Sequence, residues 1–249
     1  MGDVLDDLAG EHAALDALVS PLSDAQWKTP TPAEGWDVAD TVAHLTLSDE
    51  AALGAVTGDG EELFRGIMEN PEAALAGQAE AAAELAPAQV LERWRAARSA
   101  VLAAMRAAPP RARVYWGIGE MSVRSLATAR LMECWAHGLD CFAAVAVEPV
   151  DTDRMWHVCY LGYQTLPYAF QFAEQDMPAA RDQLRLELTG PSGDTWTFGP
   201  DDAPQVVRGA AGEWARLAVR RISLADAPTL HTDGPLAEAA LHVAKAYLL

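Results

Sequence analysis

Apolar residues recur at helical spacing through the first 150 positions, in runs separated by clear punctuation. Val4, Leu5, Leu8, His12, Leu15, Leu18 and Val19 fall on the period of a first helix, which Ser20-Pro21 ends. The segment Thr29-Pro30-Thr31-Pro32-Ala33-Glu34-Gly35-Trp36 is too rich in proline to be helical throughout. Asp37 followed by Asp40 resembles a capping box, with the shorter Asp replacing Glu, and opens a second helix through His44 to about Val56. Thr57-Gly58-Asp59-Gly60 stops it. Residues 61–86 carry no decisive pattern. Pro87 then stands where a first-turn proline belongs, and a helix follows to Ala108, closed by Pro109-Pro110. The fourth long helix starts near Ser122 and reaches about Ala146, roughly 25 residues and therefore ~37 Å. Four such helices joined by modest loops predict a four-helix bundle over residues 1–150.

Beyond Pro149 the texture changes. Helical spacing from Asp153 to Glu174 is interrupted by Pro167, a kink or break. Leu184, Leu186 and Leu188 alternate with Arg185, Glu187 and Thr189, which is strand periodicity. Gly190-Pro191-Ser192-Gly193-Asp194 turns this strand into Thr195-Trp196-Thr197-Phe198, a hairpin. Gln205 to Arg208 reads as a third short strand, and residues 211–222 and 235–248 read as helices. The fold class is therefore α+β, with the N-terminal bundle followed by a small α+β domain over residues 151–249.

Charge narrows the partners. Lys+Arg number 18 and Asp+Glu 36 among 249 residues, a formal net charge of −18. Such a surface repels phosphate backbones and anionic headgroups, so neither nucleic acid nor a membrane is expected as a partner; a small-molecule substrate is. The N-terminal stretch lacks a basic region and an apolar core, as a secretory signal would need. Cys134, Cys141 and Cys159 form no Cys-x-x-Cys pair and are too few for a disulfide framework. A reducing cytoplasm is the expected location.

The most informative local pattern is Glu133-Cys134-Trp135-Ala136-His137. At four-residue spacing Glu133 and His137 differ by only ~40° around a helix, so carboxylate and imidazole project from one face. By itself such a pair is commonly a solvent-facing one. Leu131, Met132, Trp135, Ala136 and Leu139, however, make this helix apolar nearly all round, and buried ionisable groups need partners. His44, inside the apolar stretch Val42-Ala43-His44-Leu45, is the natural third ligand, the alternative being a core histidine bonded to a neighbour. Two neutral imidazoles and one carboxylate would hold a divalent ion and leave positions open, as catalytic sites do. Zinc is the first choice; iron, nickel, cobalt and manganese suit the same donors.

Other positions weigh less. His12 and Cys141 could face the same interior, His157 and Cys159 lie near the domain junction, and His231 falls in an exposed loop. Trp36, Trp135 and Trp156 pack, or wall a ligand cavity. Fingerprints of dinucleotide, P-loop, serine-hydrolase and His-Glu-x-x-His zinc-protease sites are all missing.

The run Trp27 to Leu45, ending Asp37-Val38-Ala39-Asp40-Thr41-Val42-Ala43-His44-Leu45, resembles the entry to the second helix of mycothiol-dependent maleylpyruvate isomerase-like proteins, within the DinB-like metal-binding bundles. Met132-Glu133-Cys134-Trp135-Ala136-His137-Gly138-Leu139-Asp140 is similar to their second metal motif. Arg154 to Gly162, the hairpin turn at 188–193 and Gly234-Pro235-Leu236-Ala237 resemble an actinobacterial subgroup with a small C-terminal α/β domain. The resemblance implies that His44, Glu133 and His137 are the metal triad. It implies also that an arginine of the C-terminal domain and the thiol cofactor mycothiol take part in the reaction. Arg220 and Arg221 are similar in placement to that arginine. The resemblance thus points to a thiol-linked isomerase or transferase. A metal-dependent lyase or hydrolase without a thiol cofactor, and a non-catalytic metal or small-ligand binding protein, are the alternatives.

Overall fold

The computed structural model describes residues 2–70, 84–117 and 119–247. The chain divides into two compact units, one over Gly2–Pro149 and one beginning at Val150.

In the first unit the punctuation read from the sequence marks real helix ends. Helix α1 (Val4–Val19) begins where the Asp3 carboxylate accepts the Leu5 N–H at 2.9 Å. A four-residue helix α2 (Asp24–Trp27) follows. Helix α3 (Val38–Thr57) opens on the expected capping box: Asp37 accepts from the Asp40 N–H at 2.9 Å and Asp40 from the Asp37 N–H at 3.0 Å. It ends at Gly58, whose φ of 108° is a left-handed conformation that a side chain would strain. Helix α4 (Gly60–Glu69) occupies the start of the stretch left undecided above; residues 71–83 lie outside the described ones. Helix α5 (Pro87–Ala107) has its proline in the first turn, and α6 (Val123–Ala144) is capped by Ser122, whose hydroxyl accepts from the Ser125 N–H at 3.0 Å.

The four long helices pack as a bundle, α3 along α5 and α6, and α1 against α6 and α5. Leu8, Leu15, Val42, Leu45, Trp94, Val101, Leu126 and Leu131 are fully enclosed between them. Each large apolar side chain buried in this way contributes about 1.5–3 kcal/mol, which far exceeds the helices' intrinsic propensities. Between α5 and α6 the chain forms an antiparallel hairpin, β1 (Arg113–Trp116) with β2 (Gly119–Ser122). Its strands are too short to show alternation.

The second unit begins with two short helices, α7 (Trp156–Gln164) and α8 (Leu166–Phe172). Pro167 sits in the first turn of α8, so the break falls just before the proline, where its missing N–H costs nothing. The expected hairpin is present as β3 (Leu184–Thr189) and β4 (Thr195–Phe198), antiparallel with Leu186 opposite Phe198. The third strand, β5 (Gln205–Ala210), runs two residues longer than its pattern suggests and pairs with β3 in parallel. An edge strand, β6 (His231–Asp233), completes the order β4-β3-β5-β6, so His231 is exposed on a strand rather than in a loop. Helices α9 (Ala211–Ala218) and α10 (Pro235–Val243) are shorter than read from the sequence. Past α10 the Ala246 N–H donates to the Ala218 carbonyl at 2.8 Å, a tertiary bond that ends the helix. Leu184, Leu186, Leu188, Val207, Trp214 and Leu236 form the core of this unit.

Candidate metal centre

His44 lies in the second turn of α3, and Glu133 and His137 lie one turn apart in the middle of α6. Packing of the two helices brings all three together. Glu133 Oε2 stands 3.6 Å from His44 Nε2 and 3.5 Å from His137 Nε2, and the three candidate ligand atoms lie within 4.8 Å of one another. Around an ion about 2.1 Å from each donor, tetrahedral ligand atoms would be spaced by roughly 3.4 Å. The two Glu133 distances match that spacing, so the residues fit a divalent cation. All three side chains are half-buried, which leaves one side of the cluster open to a ligand.

The surroundings define each group's state. Asp140, one turn beyond His137 and 1% exposed, accepts a hydrogen bond from His137 Nδ1–H at 3.2 Å, which directs Nε2 toward Glu133. Burial disfavours a charged His137, but the contacts with Asp140 and Glu133 outweigh it and raise its pKa. His44 behaves oppositely: burial prevails over its contact with Glu133 and lowers its pKa, keeping the imidazole neutral. Its Nδ1 is buried without a partner among the described residues, so its tautomer is set by what Nε2 meets. Burial alone would raise the Glu133 pKa, but both histidines hold the carboxyl well below its ordinary value. A neutral imidazole, an oriented imidazole and an ionised carboxylate form a divalent-ion donor set.

Trp36 lies against both imidazoles. Thr31 N–H and Oγ1–H both donate to the Trp36 carbonyl, at 2.8 and 3.1 Å, folding the proline-rich loop back on itself. The indole then lies over both imidazoles, with ring centroids 4.9 Å from His44 and 5.7 Å from His137. Trp36 thus packs against the candidate ligands themselves. The role of Asp140 was missed, although its i+3 spacing from His137 on the same helix was a usable signal.

Each of the remaining positions has its own surroundings. His12 is 3% exposed in the bundle interior, where burial, then Arg98 and Arg130, lower its pKa to about 3. Its Nε2 lies 3.7 Å from Asp49 Oδ2, and Asp49 Oδ1 accepts from Arg130 Nε at 3.0 Å. Cys134, Cys141 and Cys159 are buried free thiols whose pKa values burial raises. His157 is buried; Trp156 stacks on Tyr160 and leans on Phe198. Trp135 packs in the core. Arg220 follows α9 in a left-handed conformation (φ 59°), is exposed, and donates through Nη2 to the Val243 carbonyl at 3.3 Å. Arg221 is half-buried, with Nη1 donating to the Val219 carbonyl at 2.8 Å.

A helical bundle with a His-Glu-His cluster, followed by a mixed α/β region, defines a DinB-like protein with a metal-capable centre. Residues 8–142 match the family described as the mycothiol maleylpyruvate isomerase N-terminal domain, and the chain belongs to that family. Two Mycobacterium tuberculosis proteins, from strains H37Rv and CDC 1551 and both named as uncharacterized, are each 40% identical to it over 225 residues, 90% of this chain and 87% of theirs. Crystal structures of the mycothiol-dependent maleylpyruvate isomerase and of a histidine-to-alanine mutant of it align with a TM-score of 0.61. The alignments cover 93% of both chains at 15% and 14% identity, which shows a shared fold. Among the described residues no helix is long and apolar enough to cross a membrane.

Proposed function

We propose that this chain is a metal-dependent enzyme acting on a small molecule, in a thiol-linked isomerisation or transfer with mycothiol as the thiol. His44, Glu133 and His137 are the metal ligands, and zinc is the ion. The observation that carries this reading is the convergence of two imidazoles and an ionised carboxylate at coordination spacing on the open side of a buried helix pair. The shared fold of the mycothiol-dependent isomerase supports the choice of thiol chemistry. A bound divalent cation supplies Lewis acidity, which lowers the pKa of a thiol or water and polarises a carbonyl. The protein's part is to keep His44 neutral by burial, to orient His137 through Asp140, and to shield one side of the centre with Trp36. Arg220 or Arg221 supplies positive charge to an anionic substrate or to the thiol cofactor, a distinctive role in a chain of net charge −18. The reaction takes place in the reducing cytoplasm, which keeps the three cysteines as thiols.

The test joins metal analysis to an assay with mycothiol and α,β-unsaturated carbonyl substrates. His44→Ala, Glu133→Ala and His137→Ala should each lose the bound ion while retaining the helical circular dichroism of the native chain. Arg220→Gln or Arg221→Gln should lower turnover with the metal still bound. Native protein that contains no metal and gains no stability from added zinc would refute the metal reading. A metal-loaded protein with no thiol-dependent turnover would refute the thiol chemistry.

A further inference from the structure

Beyond the three ligands, α3 and α6 are joined at a second level. His44 of α3 meets Glu133 and His137 of α6, while Asp49, five residues later in α3, meets Arg130, three residues earlier in α6. The two helices therefore run antiparallel. The second contact lies about 4–8 Å along their axes from the first. It is the tighter of the two: Arg130 Nε donates to Asp49 Oδ1 at 3.0 Å, whereas the histidine–carboxylate contacts are 3.5–3.6 Å. Both partners are almost completely enclosed, Asp49 at 1% and Arg130 at 2% exposure. His12 of α1 approaches the other Asp49 oxygen at 3.7 Å, and the Trp94 ring of α5 stands edge-on to His12 with centroids 6.0 Å apart. Three of the four long helices thus send a polar side chain into one buried layer beside the metal centre, and the fourth, α5, borders it with the Trp94 ring.

A buried ion pair is a poor source of stability, because desolvating both charges offsets their attraction, and a well-packed apolar pair serves as well or better. What such a pair adds is direction. Leu and Val contacts between two helices tolerate a rotation or an axial shift, whereas a guanidinium–carboxylate bond in a dry interior does not. A slip of one turn, about 5.4 Å, would carry His44 out of reach of Glu133 and His137. We infer that Asp49 and Arg130 are positioning residues for the metal centre: their bond sets the register of α3 on α6 and so preassembles the three ligands before an ion binds. This inference rests on the metal reading above.

The double variant Asp49→Leu/Arg130→Met replaces the pair by apolar side chains of similar length, and cobalt(II) serves as the probe. Wild-type protein should bind cobalt(II) with visible absorption bands characteristic of its ligand geometry. The double variant should keep a urea midpoint equal to or above wild type, yet bind cobalt(II) about 10–100-fold more weakly and with shifted bands. Equal affinity and unchanged bands in a folded double variant would leave the pair a purely structural role and overturn the inference. Should the double variant not fold, Arg130→Lys retains the charge but not the planar fork. Weaker, spectrally shifted cobalt(II) binding there supports the inference, and wild-type binding overturns it. Wild-type protein that binds no cobalt(II) overturns the metal reading, and the inference with it.

Discussion

Asp140 has its effect through another side chain. Its carboxylate holds His137 by Nδ1 at 3.2 Å and so determines which ring nitrogen faces Glu133. Replacing it with Asn removes the charge that favours this orientation while keeping the shape. We expect Asp140→Asn to weaken zinc binding about 10–100-fold in competition with a chromophoric chelator, at little cost in helical content. Affinity within a factor of two of wild type would show that the imidazole needs no such support. The cysteines show the opposite influence of surroundings. Burial raises the pKa of each of the three thiols, withholding the reactive thiolate as well as access. Native protein should therefore release almost no chromophore from a disulfide reagent such as dithionitrobenzoate. The urea-unfolded chain should titrate all three cysteines.

At the scale of elements, the position of His44 depends on where α3 starts. The reciprocal Asp37–Asp40 box fixes that start, and Asp37 also pairs with Lys28 Nζ at 3.2 Å, tying the helix to the loop that carries Trp36. Asp37→Ala should cost about 1 kcal/mol, as lost N-caps commonly do, read as a lowered urea midpoint with an unchanged slope. Asp37→Asn, which can still cap, should lose only a fraction of that. Equal losses in the two variants would point to the Lys28 contact rather than the cap.

Across the whole first unit, charge pairs between distant segments add a dependence on pH. Asp16 of α1 accepts from Arg95 of α5, with Ser20 and Arg98 also bonded to it, and the Arg95 bond is the largest influence holding its carboxyl below the ordinary range. Since the folded-state pKa lies below the unfolded one, the stabilisation is fully present above about pH 4 and is lost as pH falls through the folded-state value. Asp16→Asn should therefore be less stable than wild type at pH 7, with the gap closing as pH is lowered from about 5 toward 2. Urea midpoints measured across that range test this, and a gap independent of pH would assign the effect to packing. A net charge of −18 opposes compaction at neutral pH, so added salt should raise the stability of wild type as it screens that repulsion.

The sequence by itself determined what depends on near neighbours. Helix spans followed from apolar periodicity, helix starts from Asp37, Pro87 and Ser122, and the β3–β4 hairpin from alternation around a glycine-rich turn. The Glu133–His137 pair was legible because one helical turn brings four-residue spacing to one face, and the apolar setting of His44, with the resemblance of its run, marked the third ligand. Tertiary structure alone decided what depends on segments far apart in the chain. Neither the parallel pairing of β3 with β5 nor the short edge strand β6 leaves a periodic mark, since both take their partners from across the sheet. Trp36 meets the two imidazoles only because its loop folds back over them. Asp49 and Arg130, separated by 81 positions, carry no local signal at all. A buried charge in a helix reads as an interruption of the apolar stripe until packing supplies the opposite charge, and only the fold states which one that is.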